Sequence, residues 1–304
     1  MTRAVPLLVT GLPRSGTTWT ARQLTRAPGL ALAGREPMNP RTRQFALGGT
    51  LTGWSRLGDG TSDEQRRLLR RVYRGLEPRV YSRYGVRQWS APLRSTRLVV
   101  KDPFALLSLP LITEVTHARP VVLFRHPGAL LASYRRMGWT PAVAEIDRLG
   151  LAGPAGAAAD PDCPDDELGA MTRFWTACYA RVLDDLADLP QALLVEHTEL
   201  ARGGDTALRR LLTACGMPTS IRLARVPGRP RRPRHRAGAG TRPVLHDFDR
   251  APEEVALGWR RSFTDAELVR LLRSTQPTWE ALHARRLRLD VDQAAPPGAG
   301  TERR

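Results

Sequence analysis

Short apolar runs alternate along the chain with longer segments in which apolar residues recur at helical spacing. Residues 5–10, 97–101, 120–125 and 192–196 form runs of five or six residues, rich in valine and leucine. Runs of this length between helices are typical of parallel strands that are covered on both faces. The pattern therefore predicts an α/β fold with three layers, α/β/α, around a central parallel sheet.

The clearest helical segment lies after residue 166. Tyr179 on this helix is assigned to the core, although its ring has the shape to stack on a nucleotide base. A shorter helix is predicted from Thr206 to Cys215, where Gly216 ends it. The apolar positions of the long helix recur as on one buried face, at Leu168, Met171, Phe174, Trp175, Cys178, Val182 and Leu186.

The chain length of 304 residues and the order of the elements favour one large domain, residues 1–290, over two small ones. Residues 139–166 are rich in Ala, Gly, Pro and Asp and are predicted to form an insertion or a lid. Residues 291–304 are predicted to be a disordered tail.

A glycine-bounded loop follows the first apolar run. Gly11 and Gly16 have the spacing of the phosphate-binding motif G-x-x-x-x-G-K-[ST], and Thr18 occupies its hydroxyl position. Thr17 replaces the lysine that grips the β- and γ-phosphates of a nucleoside triphosphate, and Arg14 brings positive charge into the loop instead. The loop predicts a P-loop-containing nucleotide hydrolase-like fold that binds a phosphate, but not ATP in the usual way.

A second candidate for phosphate binding lies at the end of the third apolar run. Arg125 follows this run, and Ser133 lies eight residues later, two turns along the next predicted helix. Both side chains are expected in one crevice at the carboxyl edge of the sheet. A guanidinium suits bidentate contact with a phosphate.

Lys101 is the chain's one lysine among 47 Lys and Arg residues. It ends the apolar run Arg97-Leu-Val-Val-Lys101 and is followed by Asp102-Pro-Phe104. Against a strong bias toward arginine, a retained lysine indicates a position that a guanidinium does not suit. Asp102 is predicted to be structural, bonding nearby backbone groups.

Three of these motifs together resemble the PAPS-dependent sulfotransferases, where PAPS is 3′-phosphoadenosine 5′-phosphosulfate. The Lys-Asp-Pro-Phe string is most similar to the protein-tyrosine sulfotransferase branch. The resemblance implies that Arg125 and Ser133 hold the 3′-phosphate and that Lys101 reaches the bridging oxygen of the leaving phosphate. It also implies that the 5′-phosphate and sulfuryl group are bound by Arg14, Ser15, Gly16, Thr17, Thr18 and Trp19.

Two further similarities are weaker. The resemblance makes Glu36 the candidate base that takes the acceptor's proton, with His126 or His117 as alternatives. Pairing of Glu36 with Arg35 or Arg41 on the surface is the competing interpretation. The segment Trp259-Arg-Arg-Ser-Phe-Thr264 faintly resembles a late tryptophan segment near the cofactor, with Arg236 and Gly238 as candidates for its upstream pair.

The resemblance implies metal-independent, in-line transfer of a sulfuryl group from PAPS, leaving PAP, to an acceptor hydroxyl. Arg14 and Lys101 are expected to neutralise the charge that builds during transfer, and Glu36 to act as base. A glycan, glycolipid, secondary metabolite or peptide tyrosine is the expected acceptor, selected by residues 38–94 and 139–166.

Two other functions compete with this interpretation. A P-loop kinase or NTPase would use ATP and Mg²⁺, and the threonine at position 17 counts against it. A basic RNA-binding protein would account for the formal charge of +17. The densest basic run, residues 225–236, lacks aromatic residues for base stacking and contains prolines, so no nucleic-acid partner is predicted.

The cysteines Cys163, Cys178 and Cys215 have neither metal-ligand spacing nor the pattern of a disulfide framework. No apolar segment reaches the length of a membrane span, and the first apolar run is too short for a signal sequence. The sequence therefore predicts a cytoplasmic enzyme without a metal site.

Overall fold

A computed structural model describes residues 3–41, 43–151, 166–224 and 257–289. Its centre is a five-stranded parallel sheet in the order β2-β3-β1-β4-β5. The predicted three-layer α/β/α class is confirmed. The strands are β1 (Leu7–Thr10), β2 (Leu30–Leu32), β3 (Arg97–Lys101), β4 (Arg119–Phe124) and β5 (Leu193–Glu196).

Helices connect the strands and cover both faces of the sheet. They are α1 (Thr17–Leu24), α2 (Ala46–Gly49), α3 (Asp63–Tyr73), α4 (Leu109–Thr116), α5 (Pro127–Met137), α6 (Val143–Arg148), α7 (Glu167–Ala187), α8 (His197–Arg202), α9 (Gly204–Ala214) and α10 (Asp265–Arg285). Both helices predicted from periodicity are present, as α7 and α9. None of the helices in the described ranges has the length and apolar character that a membrane crossing requires.

The strands separate two apolar layers because successive side chains point to opposite faces of a sheet. Leu7 and Val9 of β1 pack with helices α1, α8 and α9 on one face. Leu8, between them, packs on the other face with α3, α4, α5, α7 and α10. Tyr179 of α7 is fully buried, as predicted, and its hydroxyl donates to the Leu123 carbonyl at 2.8 Å.

All four predicted strands are present, whereas β2 was missed. It has three residues, follows Pro28-Gly29 and lies at the edge of the sheet, where only β3 pairs with it. An apolar run this short carries too little periodicity to be recognised.

The parallel arrangement brings the carboxyl ends of the strands to one edge. Val9 of β1 lies beside Lys101 of β3, and Phe124 of β4 lies beside Glu196 of β5. The loops after β1, β3, β4 and β5 therefore meet there, as in ligand-binding α/β sheets.

Several predictions fall outside the described residues: the basic run 225–236, Arg236 with Gly238, Cys163, residues 152–165 of the predicted lid, and the tail 291–304.

Candidate active site

The glycine-bounded loop forms a tight turn between β1 and α1. Gly11 has φ +147°, and a Cβ there would lie 2.3 Å from the Leu123 carbonyl oxygen. Gly16 has φ +96° and caps α1; a Cβ there would lie 1.9 Å from Cδ2 of His197. Both positions thus exclude a side chain, for conformational and steric reasons together. Such a loop and the helix N-terminus it leads into are suited to an anion.

Other residues of this loop lie where the sequence predicts. Thr17 begins α1, so the chain carries no ammonium at the point where a nucleoside triphosphate would be gripped. Ser15 is buried beneath the loop, and Thr18 and Trp19 are half-buried on the first turn of α1. Arg14 has φ 75°, in the left-handed region, and its side chain reaches Ser133 on α5.

Arg14 and Ser133 are in direct contact. Nε of Arg14 donates to Oγ of Ser133 at 2.9 Å, and Nη2 of Arg136 approaches the same oxygen at 3.3 Å. Burial and the charge of Arg136 lower the pKa of the Arg14 guanidinium. Two cations held this close favour an anion between them. Arg136 was missed by the sequence analysis, although it lies one helical turn beyond Ser133.

Arg125 joins this group from the end of β4. Its Nη1 lies 3.5 Å from the Arg14 carbonyl oxygen, and its own carbonyl accepts from Nε1 of Trp175 at 3.1 Å. The structure thus brings Arg14 to Arg125 and Ser133, which lie more than 100 residues later in the sequence. Because Arg14 spans from the phosphate loop to Ser133, it links the two predicted phosphate sites.

Lys101 and Glu36 form an ion pair on the other side of the loop. The Lys101 ammonium donates to Oε1 of Glu36, and Nδ2 of Asn39 donates to Oε2. Both charged side chains are largely buried, with 14% and 13% of their surfaces exposed. The competing interpretation of Glu36 as a surface partner of Arg35 or Arg41 is wrong, because its carboxylate pairs with Lys101. Arg35 instead donates to the Arg79 carbonyl at 2.8 Å, and the Arg41 guanidinium lies 4.3 Å from the centre of the Trp139 ring.

Asp102, next to Lys101, is 1% exposed. Its Oδ1 accepts from the Phe104 amide at 2.9 Å, the local backbone contact expected of it, and its Oδ2 accepts from the Met38 amide. Burial and the charge of Glu36 raise the pKa of Asp102 to about 8, despite these two hydrogen bonds.

His197 is a residue of this edge that the sequence analysis missed. It follows β5 directly, and its ring fills the space behind Gly16 and meets the Trp19 indole edge-on at 5.5 Å. Burial and the charge of Arg125 lower the pKa of His197 to about 3, so the imidazole is neutral. No sequence spacing links residues 16 and 197; only the order of β1, β4 and β5 in the sheet does.

The two histidines named as alternative bases lie in different places. His117 is exposed and precedes β4, at the opposite edge of the sheet from Lys101. His126 follows Arg125 and stacks on Trp259 at 4.4 Å, and its Nδ1 accepts from the Gly128 amide at 3.1 Å. Burial and the nearby arginines lower the pKa of His126 to about 4. Trp259 thus contacts the residue that follows Arg125, on the predicted cofactor side.

Within the described residues, no group of three or more His, Cys, Asp or Glu side chains is arranged to hold a metal ion. The positive charges at this edge come from side chains, chiefly Arg14, Lys101, Arg125 and Arg136.

One protein family matches most of the chain. A family model described as "Sulfotransferase family" matches residues 6–221. No curated protein sequence matches the chain. Among solved structures, the chain is similar to the sulfotransferase domain from the curacin biosynthetic pathway (14% identity, 90% of this chain and 99% of that one, TM-score 0.47). It is also similar to a sulfotransferase from Alicyclobacillus acidocaldarius (13% identity, 88% and 94%, TM-score 0.41).

Proposed function

The chain belongs to the sulfotransferase family, and on that premise we propose that it transfers a sulfuryl group from PAPS to an acceptor hydroxyl, without a metal. The observation that carries the proposal is the contact between Arg14 and Ser133, with Arg125 and Arg136 beside them. These cationic side chains lie beside the glycine-bounded loop, which supports the assignment of a nucleotide that carries both a 5′- and a 3′-phosphate.

The cofactor assignment follows from the chemistry of these groups. The glycine loop, with backbone amides and the hydroxyls of Thr17 and Thr18, suits a 5′-phosphate. Arg125, Arg136 and Ser133 supply donors for a second, separate phosphate. ATP has no 3′-phosphate, and the chain lacks the loop lysine that would hold its γ-phosphate.

PAPS, when bound, supplies a sulfuryl group on a good leaving group. In the proposed reaction the acceptor oxygen bonds to sulfur as the bond from sulfur to the 5′-phosphate oxygen breaks. Glu36 accepts the acceptor's proton. Lys101 and Arg14 neutralise the negative charge left on the phosphate of PAP, which is electrostatic stabilisation by groups already in place.

The Lys101–Glu36 ion pair constrains the proposed mechanism. Each side chain has a predicted role on a different reactant, so both roles require the pair to separate. The anionic cofactor provides a competing partner for the ammonium, and Glu36 is then released toward the acceptor. The acceptor is proposed to be a glycan, glycolipid, secondary metabolite or peptide tyrosine that enters beside the Glu36 segment.

Calorimetric titration with PAP, ADP and ATP, each with and without Mg²⁺, tests the cofactor class. We expect PAP to bind without metal and at least tenfold more tightly than ADP, which lacks the 3′-phosphate. Ser133→Ala should reduce that preference, and Ser95→Ala, an exposed serine away from the site, should not. Preferential binding of ATP with Mg²⁺ would replace the proposal with a kinase or NTPase.

Transfer itself is tested by incubating the protein with PAPS and a panel of hydroxyl compounds. A phenol, a primary alcohol, a monosaccharide and a tyrosine peptide cover the proposed acceptor classes. Mass spectrometry of the products, together with release of PAP, identifies the class that gains the sulfuryl group. PAP binding without transfer to any panel member or to water would contradict the enzymatic proposal.

A further inference from the structure

Asp102 occupies a junction between three segments of the candidate active site. It is covalently joined to Lys101 at the end of β3. Its backbone amide donates to the Val9 carbonyl at 3.0 Å, and its carbonyl accepts from the Thr10 hydroxyl at 2.7 Å, directly before the phosphate loop. Its side chain reaches the third segment, which carries Glu36, through the Met38 amide.

The Glu36 segment has few backbone groups with which to anchor itself. In Glu36-Pro37-Met38-Asn39-Pro40, both prolines lack an amide hydrogen. The Glu36 amide donates to a side chain of the same loop, Oε1 of Gln44. Of the amide hydrogen bonds in this stretch, the Met38 contact with Asp102 is the one that connects it to the strand carrying Lys101.

Both oxygens of the Asp102 side chain are committed to backbone contacts. Asp102 is 1% exposed, and its two oxygens accept from different amides, Met38 on the Glu36 segment and Phe104 on its own. Replacing a buried acceptor leaves two amide donors without a partner, which is costly in a low-dielectric interior. Asp102 is too deeply placed to contact a reactant, so any effect on the reaction must pass through the groups it holds.

We propose that Asp102 is a positioning residue that holds the backbone of the Glu36 segment beside the strand end that carries Lys101, and so keeps the Glu36 carboxylate within reach of the acceptor after it separates from the ammonium. The inference rests on the proposed sulfuryl transfer, because it assigns Asp102 a role in that reaction. It predicts a loss of turnover without a loss of cofactor affinity, since Arg14, Arg125 and Ser133 are held by other contacts.

The decisive substitution is Asp102→Asn, which keeps the shape but offers an NH₂ group to one of the two amide donors. We expect kcat for PAP release, measured with the best acceptor of the panel, to fall at least tenfold, with the Kd for PAP within twofold of wild type. The matched control is Asp185→Asn. Asp185 is another buried aspartate, on α7, and it pairs with Arg181 of the same helix and with Arg56. It should lower the melting temperature while kcat stays within twofold.

A parallel fall in kcat and PAP affinity, or an unchanged kcat in Asp102→Asn, would overturn the inference while leaving the proposed function intact. Failure of the wild-type protein to bind PAP would overturn the proposed function, and this inference with it. These two failures are separated by the wild-type titration.

A second measurement covers the case in which Asp102→Asn does not fold. Selective ¹⁵N labelling of the five methionines includes Met38. The rate of hydrogen exchange at the Met38 amide then reports directly on its hydrogen bond to Asp102. We expect slow exchange of the Met38 amide in the wild type. Exchange at the rate of an exposed amide would remove the contact on which the inference depends.

Discussion

Lys101 and Glu36, 65 positions apart in the chain, form a largely buried ion pair where β3 ends beside the loop that follows β2. Neighbouring β2 and β3 lie parallel, so the segments after them leave the sheet at the same edge. Two of the residues to which the family resemblance gives catalytic roles are therefore in direct contact. Removing either partner of a buried ion pair leaves the other charge buried without compensation, which destabilises the folded protein.

Replacing Lys101 by alanine should reduce kcat by about 100-fold or more, the usual effect of deleting one group that stabilises developing charge. The Kd for PAP should change less than threefold, because the phosphate loop and Arg125 are untouched. Steady-state kinetics with PAPS and calorimetry with PAP measure the two quantities. Lys101→Arg, which keeps the charge but changes its shape, should recover only part of the activity. Full activity in Lys101→Ala would remove this residue from the mechanism.

Replacing Glu36 by glutamine should lower kcat by about 10²- to 10⁴-fold, the range for loss of a general base. The amide keeps the shape, and its one carbonyl oxygen can accept from either Asn39 or Lys101, so the fold should be retained. Glu114→Gln is the control, because Glu114 is a surface partner of Arg66 and lies outside the site. If Glu36→Gln retains wild-type turnover, proton transfer belongs to another group, and His126 becomes the next candidate.

Replacing Arg125 by alanine should weaken PAP binding by about 1.5–3 kcal/mol, the contribution of a hydrogen bond to a charged group. ADP affinity should change little, since ADP carries no 3′-phosphate. Isothermal titration with both nucleotides separates these outcomes, and Arg66→Ala serves as a surface control. Equal losses for PAP and ADP would show that Arg125 supports the site in general and does not recognise the 3′-phosphate.

Replacing Gly16 by alanine should destabilise the protein by about 1–3 kcal/mol through its left-handed backbone, and should add a steric conflict with His197. The double variant Gly16→Ala/His197→Ala should therefore be less destabilised than the sum of the single changes. A double-mutant cycle in urea unfolding measures this coupling. Strict additivity would show that the imidazole does not limit the space behind Gly16.

Stability should fall as the pH drops below about 6.5. Burial lowers the pKa of His126 to about 4 and that of His197 to about 3. Between these values and 6.5 each histidine binds a proton in the unfolded chain that it lacks in the folded chain. Asp102, whose pKa is raised to about 8, has the opposite effect and offsets one of these two protons. Acid therefore favours unfolding by about 1.4 kcal/mol per pH unit for the net proton that remains. Urea unfolding at pH 7.5, 6.0 and 5.0 measures the slope. Phenylalanine at either position should reduce the slope, whatever it does to stability at pH 7.5; an unchanged slope would contradict the assignment.

The sequence by itself determined the sheet and the position of its functional edge. Four apolar runs, a glycine-bounded loop and one lysine among many arginines were enough, because each depends on neighbours within about ten residues. Arg14, Lys101, Arg125 and Ser133 were named from such local strings, and the structure places all four at the same edge. Their roles in cofactor binding and catalysis remain predictions.

Only the tertiary structure decided which of these residues meet. The contact of Arg14 with Ser133, the ring of His197 behind Gly16, and the hydrogen bond from Met38 to Asp102 each join segments that are distant in sequence. Strand order and register create these contacts, and neither produces a local periodicity or spacing in the sequence from which the contacts could be predicted. Edge strand β2 was missed for a related reason. Its three apolar residues form a strand because β3 pairs with them, and this pairing cannot be recognised from the three residues alone.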